Sequence, residues 1–110
     1  MSLLAGDLGI FADESLVLDE VDVVIHLAGV VAARTPDQYE AINFTAVVDL
    51  VRCLERQSWT PRRLLFASSL AAAGPSPTGR AWTESDPVAP IDLYGEAKAR
   101  AEVALREATF

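Results

Sequence analysis

The residues of this chain best suited to chemistry are a tyrosine and a lysine four positions apart, Tyr94 and Lys98. In a helix this spacing places both side chains on one face. A lysine charge within several ångströms favours the phenolate over the phenol. If the pKa of the tyrosine hydroxyl is lowered toward neutral pH, the phenolate can take a proton from an alcohol, and the phenol can return one to a carbonyl. The same spacing is typical of a solvated pair on an exposed helix, so the pair alone leaves both interpretations open.

A serine at the end of a predicted strand, Ser69, is the second candidate. Its hydroxyl would lie at the carboxyl edge of the sheet, where it could bind and hold the oxygen that Tyr94 protonates. The alternative is a strand-end serine that satisfies its own backbone. The combination with Tyr94 and Lys98, some 25 residues later, favours the catalytic interpretation.

The other reactive residue types carry weaker predictions. His26, the sole histidine, lies in mid-strand, which favours a core imidazole bonded to a carbonyl over a catalytic group. Cys53 is on an apolar helix face and is expected to be inert. A single cysteine cannot form an internal disulfide, and no set of His, Cys and Asp residues has the spacing of metal ligands.

Two buried strands are predicted to position these groups, over residues 21–29 and 62–69. The first run is apolar on both faces, which is typical of a buried strand in a parallel sheet, and the second ends in the hydroxyl residues Ser68 and Ser69. Residues 2–5 are predicted to be the end of another strand. Residues 13–20 are predicted to form a short helix with Asp13 as its N-cap.

Two longer helices are predicted. One covers residues 36–57 and begins at Thr35-Pro36, an N-cap followed by proline in the first helical position. The other covers residues 92–108. Residues 70–92 contain too many glycines and prolines for a regular element, and a loop of that length is usually functional or mobile.

This alternation of strands and helices predicts an α/β fold with a right-handed parallel sheet and helices on both faces. In such sheets the reactive groups gather beyond the carboxyl ends of the strands, where Gly29 and Ser69 stand. The helix over 36–57 has a second apolar stripe, which a partner subunit would cover most simply. That stripe comprises Phe44, Val48 and Val51.

Composition limits the remaining possibilities. The length of 110 residues allows one domain. A net charge of −7 argues against nucleic acid and anionic membranes as partners. No apolar run approaches the length of a membrane span, and no signal peptide is expected from the N-terminal residues. A cytoplasmic protein is therefore expected.

Five motifs follow one another along the chain: Gly6-Asp7-Leu8; Asp22-Val23-Val24-Ile25-His26-Leu27-Ala28-Gly29; Asn43; Phe66-Ala67-Ser68-Ser69 through Gly74; and Thr83-Glu84-Ser85-Asp86-Pro87 before Tyr94 and Lys98. In this order they resemble the motifs of the extended short-chain dehydrogenase/reductases, the NAD-dependent epimerase/dehydratase family. Asn43 matches the first residue of the family's Asn-x-x-Gly-Thr motif, in which Ala46 and Val47 replace the last two residues. The fourth motif resembles one that ends in Tyr-Gly in the family, and Ala73 replaces the tyrosine.

The resemblance implies a partial, doubly wound, Rossmann-like domain over residues 1–110, with Ser69, Tyr94 and Lys98 as catalytic residues. It implies NAD or NADP as cofactor and a sugar nucleotide, ketone or alcohol as substrate. It also implies a homodimer through helices 36–57 and 92–108. The implied cofactor contacts are Asp7 (to the adenine), Leu8, Leu27, Ala28, Gly29, Asn43, Tyr94 and Lys98 (to the nicotinamide ribose).

The family's Gly-x-x-Gly-x-x-Gly turn, which cradles the pyrophosphate, does not occur in this sequence. Nor is there a counterpart of the family's C-terminal substrate lobe. The expectation is therefore a central slice of a larger enzyme or a truncated product. The alternative is a non-catalytic fragment or dimerising module that does not bind dinucleotide by itself.

Overall fold

The structure is a computed structural model that describes residues 3–110. Its helical and strand elements alternate along the chain. In order they are a 3₁₀-helix (Leu8–Ala12), β1 (Val23–His26), α1 (Pro36–Glu40), a π-helical segment (Ala41–Thr45), α2 (Ala46–Glu55), β2 (Arg63–Phe66), α3 (Leu70–Ala73) and α4 (Leu93–Arg106).

The two strands form a parallel pair, in which Val23 lies opposite Arg63 and His26 opposite Phe66. The continuous helical stretch from Pro36 to Glu55 connects them. A parallel pair needs a crossover of this kind, because a tight turn can join only antiparallel strands. The prediction of an α/β fold that contains the central part of a Rossmann-like parallel sheet is confirmed.

The core lies between one face of this sheet and the helices α2 and α4. Its buried apolar residues are Ala46, Val47, Leu50, Val51, Cys53, Leu54, Ala72, Ala97 and Ala101. The other face of the sheet is exposed at Val23, Ile25 and Leu65, of which Ile25 is 59% accessible. The helices that contact the sheet in the described residues thus shield only the face that carries His26 and Phe66.

The second stripe of the long helix is partly covered within the chain itself. Val51 is buried, and the Phe44 ring lies under the guanidinium of Arg100 on α4, 3.8 Å from the ring centroid. Arg100 also binds Glu40 at 2.7 Å. Because α4 supplies this cover, these residues do not by themselves require a partner subunit.

The predicted helix over residues 13–20 is wrong. After the 3₁₀-helix the chain makes a turn at Asp13, whose side chain accepts the Ser15 amide at 2.8 Å, and residues 16–20 have no regular secondary structure. The Gln57 side chain bonds the Leu18 amide at 3.0 Å and the Leu16 carbonyl at 3.1 Å. Long-range partners therefore take the backbone groups that a helix would have used internally.

The predicted strand over residues 2–5 is also absent where it can be assessed. Residues 3–5 have no regular structure and pair with no strand, and Ser2 lies outside the described residues. Residues 70–92 form a loop as predicted, apart from the four-residue helix α3 at its start. The helix predicted over 92–108 is observed as Leu93–Arg106, with Asp92 as its N-cap.

Among residues 3–110, no helix combines the length and the apolar character needed to cross a membrane.

Candidate active site

Lys98 is the centre of the candidate site because its ammonium is buried. Only 3% of the residue is accessible, and Nζ donates a hydrogen bond of 2.9 Å to the Ala67 carbonyl, just beyond β2. Nζ also lies 4.5 Å from the centroid of the Phe66 ring. Burial lowers the pKa of Lys98 from its usual 10.5.

Lys98 meets two other predicted residues at the carboxyl end of β1. A Cβ atom placed on Gly29 would lie 3.1 Å from Lys98 Nζ and 2.9 Å from Asn43 Oδ1. A side chain at position 29 would therefore occupy space that these two polar groups already border. Gly29, Asn43 and Lys98, which come from three separate parts of the chain, are thus brought together.

Asn43 fixes the chain that leaves β1. It is fully buried in the π-helical segment, and its Oδ1 accepts the Val30 amide at 3.0 Å while its Nδ2 donates to the Val30 carbonyl at 2.9 Å. Short π-helical insertions are frequent at functional sites. In this chain the observed role of Asn43 is to hold the backbone immediately after Gly29.

His26 and Phe66 form an aromatic pair beneath Lys98. Their rings stack at 5.8 Å between centroids, and His26 is 6% accessible. Burial, and then the charge of Lys98, lower the pKa of His26 from 6.5. The core imidazole was predicted, but its Nε2 is buried without a hydrogen-bond partner, so the expected bond to a carbonyl is missing at that atom.

Tyr94 lies in the first turn of α4, four residues before Lys98, and is half-buried. The Tyr39 ring packs against it at 6.5 Å between centroids, and the Tyr39 hydroxyl donates to the Val31 carbonyl at 3.3 Å. The segment after β1 and the first turn of α4 are therefore linked through an aromatic contact.

Ser69 is the N-cap of α3, and its Oγ accepts the Ala71 amide at 3.2 Å. Because a hydroxyl both donates and accepts, this bond leaves the hydroxyl proton available to another acceptor. The neighbouring Ser68 instead donates to Glu102 on α4. The backbone-satisfying interpretation of Ser69 is thus observed, and it is compatible with the catalytic one.

The loop between α3 and α4 is tied to both helices. Ala89 donates to the Ala73 carbonyl at 2.9 Å, and the Trp82 indole donates to the Gly74 carbonyl at 3.2 Å. Gly95 lies so close to α3 that a Cβ atom there would be 2.3 Å from the Ala71 carbonyl oxygen. These contacts bring the start of α4, which carries Tyr94, against the helix that follows Ser69.

A bidentate ion pair within this loop joins Arg80 to Asp86, with one contact of 2.7 Å. This bond, followed by the one from the Thr83 amide, lowers the pKa of Asp86 to about 2. The sequence alone did not indicate this pairing. It depends on a return of the chain that residue spacing does not reveal.

Asp7 and Leu8 lie at a different position from the lysine cluster. They border a cavity of about 420 Å³ with residues of the π-helical segment and the start of α2. The Asp7 carboxylate accepts the Gly9 amide at 2.8 Å and caps the 3₁₀-helix. Leu27 and Ala28 are exposed where β1 ends.

The residues near Lys98 fit the ribose end of a dinucleotide. The absence of a side chain at Gly29 lets the Lys98 ammonium lie close to the backbone there, and this ammonium has further N–H donors beyond the one bound to Ala67. Within residues 3–110, no group of three or more His, Cys, Asp and Glu residues could hold a metal ion.

Two residues of this region were not singled out from the sequence. Phe66 lies under the lysine, and Tyr39 lies against Tyr94. The register that places His26 beside Phe66 is a property of the folded sheet, so no local spacing could have revealed the stack. Phe66 and Tyr39 each lie within a predicted strand or helix, and this was the one sequence signal that could have drawn attention to them.

Comparison with known proteins gives a consistent result. The sequence profile of the NAD dependent epimerase/dehydratase family matches residues 5–109. Over 85 residues the chain is 34% identical to the uncharacterized protein y4nL of Sinorhizobium fredii (strain NBRC 101917 / NGR234), which corresponds to 76% of this chain and 23% of that protein.

Two solved structures are similar to this one. MoeE5 in complex with UDP-glucose and NAD has 26% identity and a TM-score of 0.74, over 92% of this chain and 33% of MoeE5. The UDP-Glc/GlcNAc 4-epimerase of Campylobacter jejuni has 25% identity and a TM-score of 0.70, over 92% of this chain and 30% of that one. The chain therefore spans about a third or less of the length of these relatives.

Proposed function

Because this chain belongs to the NAD dependent epimerase/dehydratase family, we propose that it carries the acid/base part of an NAD-dependent active site of the extended short-chain dehydrogenase/reductase type. The proposed substrate is a sugar nucleotide, which is supported by the UDP-glucose and NAD bound to MoeE5. A ketone or alcohol outside the sugar nucleotides is the alternative substrate class, and NADP is the alternative cofactor.

The observation that carries this proposal is the buried ammonium of Lys98 at the carboxyl end of the sheet, bordered by Gly29 and Asn43. Burying a charge is costly unless other groups compensate for it, so a lysine buried here calls for a functional explanation. In an open sheet this edge is also where ligands bind.

Each catalytic residue has a proposed role. Tyr94 takes the proton of the substrate hydroxyl when the alcohol is oxidised and returns it when the carbonyl is reduced. Lys98 is proposed to bind the nicotinamide ribose and to place a positive charge one helical turn from Tyr94. When bound, NAD would supply the acceptor and donor of the hydride that leaves or joins the same carbon.

Ser69 is proposed to hold the substrate oxygen. The Ser69 oxygen accepts the Ala71 amide, which fixes the hydroxyl group and leaves its proton to be donated to that oxygen. A donor that is already oriented costs little reorganisation when the reaction occurs. Leu27, Ala28, Gly29 and Asn43 are proposed to line the dinucleotide, with Asp7 and Leu8 at its adenine end.

We further propose a homodimer through the helical faces of residues 36–57 and 92–108. Support comes from a groove of about 200 Å³ between α2 and α4, which Val48, Val51, Ala104 and Ala108 help to line. Small residues there would let a helix of the partner approach closely.

A non-catalytic dimerising module is the second candidate function. The exposed sheet face at Val23, Ile25 and Leu65 favours it, because parallel sheets are normally covered on both faces. Calorimetric titration of the 110-residue chain with NAD distinguishes the two candidates. Binding at micromolar concentration supports the enzymatic one, and a folded chain with no detectable binding supports the module.

The catalytic assignment is tested with Tyr94→Phe in the natural protein, assayed with NAD and UDP-sugars. Loss of a positioned proton donor is expected to lower kcat by about 10²–10⁴-fold, with NAD affinity nearly unchanged. Tyr39→Phe is the matched control, since its hydroxyl is nearby but binds the Val31 carbonyl. If the Tyr94 variant keeps most of its turnover, the assigned proton donor is wrong.

A further inference from the structure

The Lys98 ammonium lies over the face of the Phe66 ring, and among residues 3–110 its hydrogen-bond partner is a backbone carbonyl. Nζ is 4.5 Å from the ring centroid and 2.9 Å from the Ala67 oxygen. A cation within about 6 Å of an aromatic centroid is attracted by the ring, and more strongly when both are shielded from water. Lys98 is buried, so this interaction has its favourable setting.

Other charges do not replace the ring. The ion pairs among residues 3–110 do not include Lys98. On its own helix, Tyr94 lies one turn before it and Glu102 one turn after, and Glu102 is already bound to Ser68 and Arg106. The titratable group that faces it from β1 is His26, whose protonation would add a second positive charge.

We propose that Phe66 is a positioning residue for the acid/base centre, because its ring face and the Ala67 carbonyl together hold the Lys98 ammonium beside Gly29. Phe66 and Ala67 are consecutive residues at the end of β2, so the strand fixes both groups at once. The catalytic role of Lys98 rests on the proposed function. The position of its ammonium against Phe66 and Ala67 does not depend on that role.

The sequence makes a direct measurement possible, because Lys98 is the only lysine. Lysine labelled with ¹³C at Cε then gives a single signal, whose pH titration reports this one amine. Removing the ring with Phe66→Leu is expected to lower the pKa of Lys98 by roughly half to one pH unit, since burial then acts without the ring's compensation. An unchanged titration would overturn the proposal.

The matched control is Phe44→Leu, which removes the ring under Arg100 on the same helix. This variant is expected to leave the pKa of Lys98 unchanged. Phe66→Tyr keeps a ring face and is expected to restore the value of the parent. A shift as large in Phe44→Leu as in Phe66→Leu would mean that the effect is a general loosening of α4, and the proposal would fail.

If Phe66→Leu does not fold, fluorinated phenylalanines at position 66 provide the same test at nearly constant volume. Each added fluorine weakens the negative ring face, so the pKa of Lys98 is expected to fall stepwise with the number of fluorines. A pKa of Lys98 that does not change with the number of fluorines contradicts the proposal.

The role in the reaction is read from the natural protein. The basic limb of the pH profile of kcat/KM is expected to move to lower pH in Phe66→Leu by the shift measured at Lys98, and Phe66→Tyr should restore it. If Tyr94→Phe retains turnover while the pKa of Lys98 still changes when the Phe66 ring is removed, the proposed function fails. The positioning role of Phe66 for the ammonium is then still supported. If Tyr94→Phe is inactive, and Phe66→Leu changes neither the Lys98 titration nor the pH profile of kcat/KM, only the positioning role of Phe66 is wrong.

Discussion

Gly29 lies close to two polar side chains of the candidate site, and Gly29→Ala tests this contact. The new Cβ atom would lie 2.9 Å from Asn43 Oδ1 and 3.1 Å from Lys98 Nζ. Gly29 is not among the glycines with positive φ, which are Gly74 and Gly79. Alanine therefore fits the backbone, and the cost of the substitution arises from crowding alone.

The magnitude follows from two opposing effects. Where space is open, Gly→Ala stabilises a protein by about 0.4–1 kcal/mol because the unfolded chain loses freedom. Overpacking costs about 1–3 kcal/mol, and Asn43 can move only by giving up its bonds to Val30. A net loss of roughly 1–2 kcal/mol is expected, and each kcal/mol corresponds to about 4–8 °C in Tm for a domain of this size.

The assay is urea unfolding of the 110-residue chain, followed by circular dichroism. Gly6→Ala is the control, since its Cβ would be 3.3 Å from the flexible end of Ile10, and a change within about 0.5 kcal/mol is expected there. Asn43→Ala provides the double-mutant cycle. With Oδ1 removed, the cost of Gly29→Ala should shrink by at least about 1 kcal/mol.

Two results would refute this reasoning. One is a Gly29→Ala chain that is as stable as the parent. The other is strict additivity of Gly29→Ala and Asn43→Ala, which would mean that the two side chains do not share the space.

Two further predictions concern pH. Arg80, and then the Thr83 amide, hold the pKa of Asp86 at about 2, below the usual 3.8, so the contribution of this carboxylate is complete above 3.8 and disappears as the pH falls through 2. The NMR signal of the Trp82 indole N–H should therefore change only in that pH range. In Asp86→Asn it should already be altered at neutral pH. A change well above pH 4 in the parent protein would contradict this prediction. Burial, and then Lys98, lower the pKa of His26 from 6.5, so the unfolded chain binds this proton more readily and stability is complete above 6.5 and declines as the pH falls below it. Urea unfolding at about pH 7.5 and about pH 5.5 should show this decline in the parent but not in His26→Phe, and an equal decline in both proteins would show that another group is responsible.

The main elements could be predicted because their signals are local. Runs such as Val23–His26 and Arg63–Phe66 are short, apolar and bounded by turn residues, and the alanine spacing of α4 repeats at helical intervals. The helix expected over 13–20 failed for the opposite reason. Its backbone is bound by Gln57, about 40 positions away in the sequence.

The same distinction holds for the candidate site. Gly29, Asn43 and Lys98 were named from motifs, and the structure brings them together. The ring beneath the ammonium was not expected, because it depends on how α4 packs against the end of β2. The roles of Tyr94 and Ser69 remain predictions, since they concern contacts with a substrate.

The sheet described here has two strands, and therefore two edges with unpaired backbone groups as well as one uncovered apolar face. Such edges can add strands from other molecules, and charge is one of the features that keeps molecules apart. With a net charge of −7, copies of this chain repel one another in dilute buffer. Salt shortens the reach of that repulsion to about 10 Å at 0.1 M, so the chain by itself should remain dispersed at low ionic strength and assemble into larger species as salt is added.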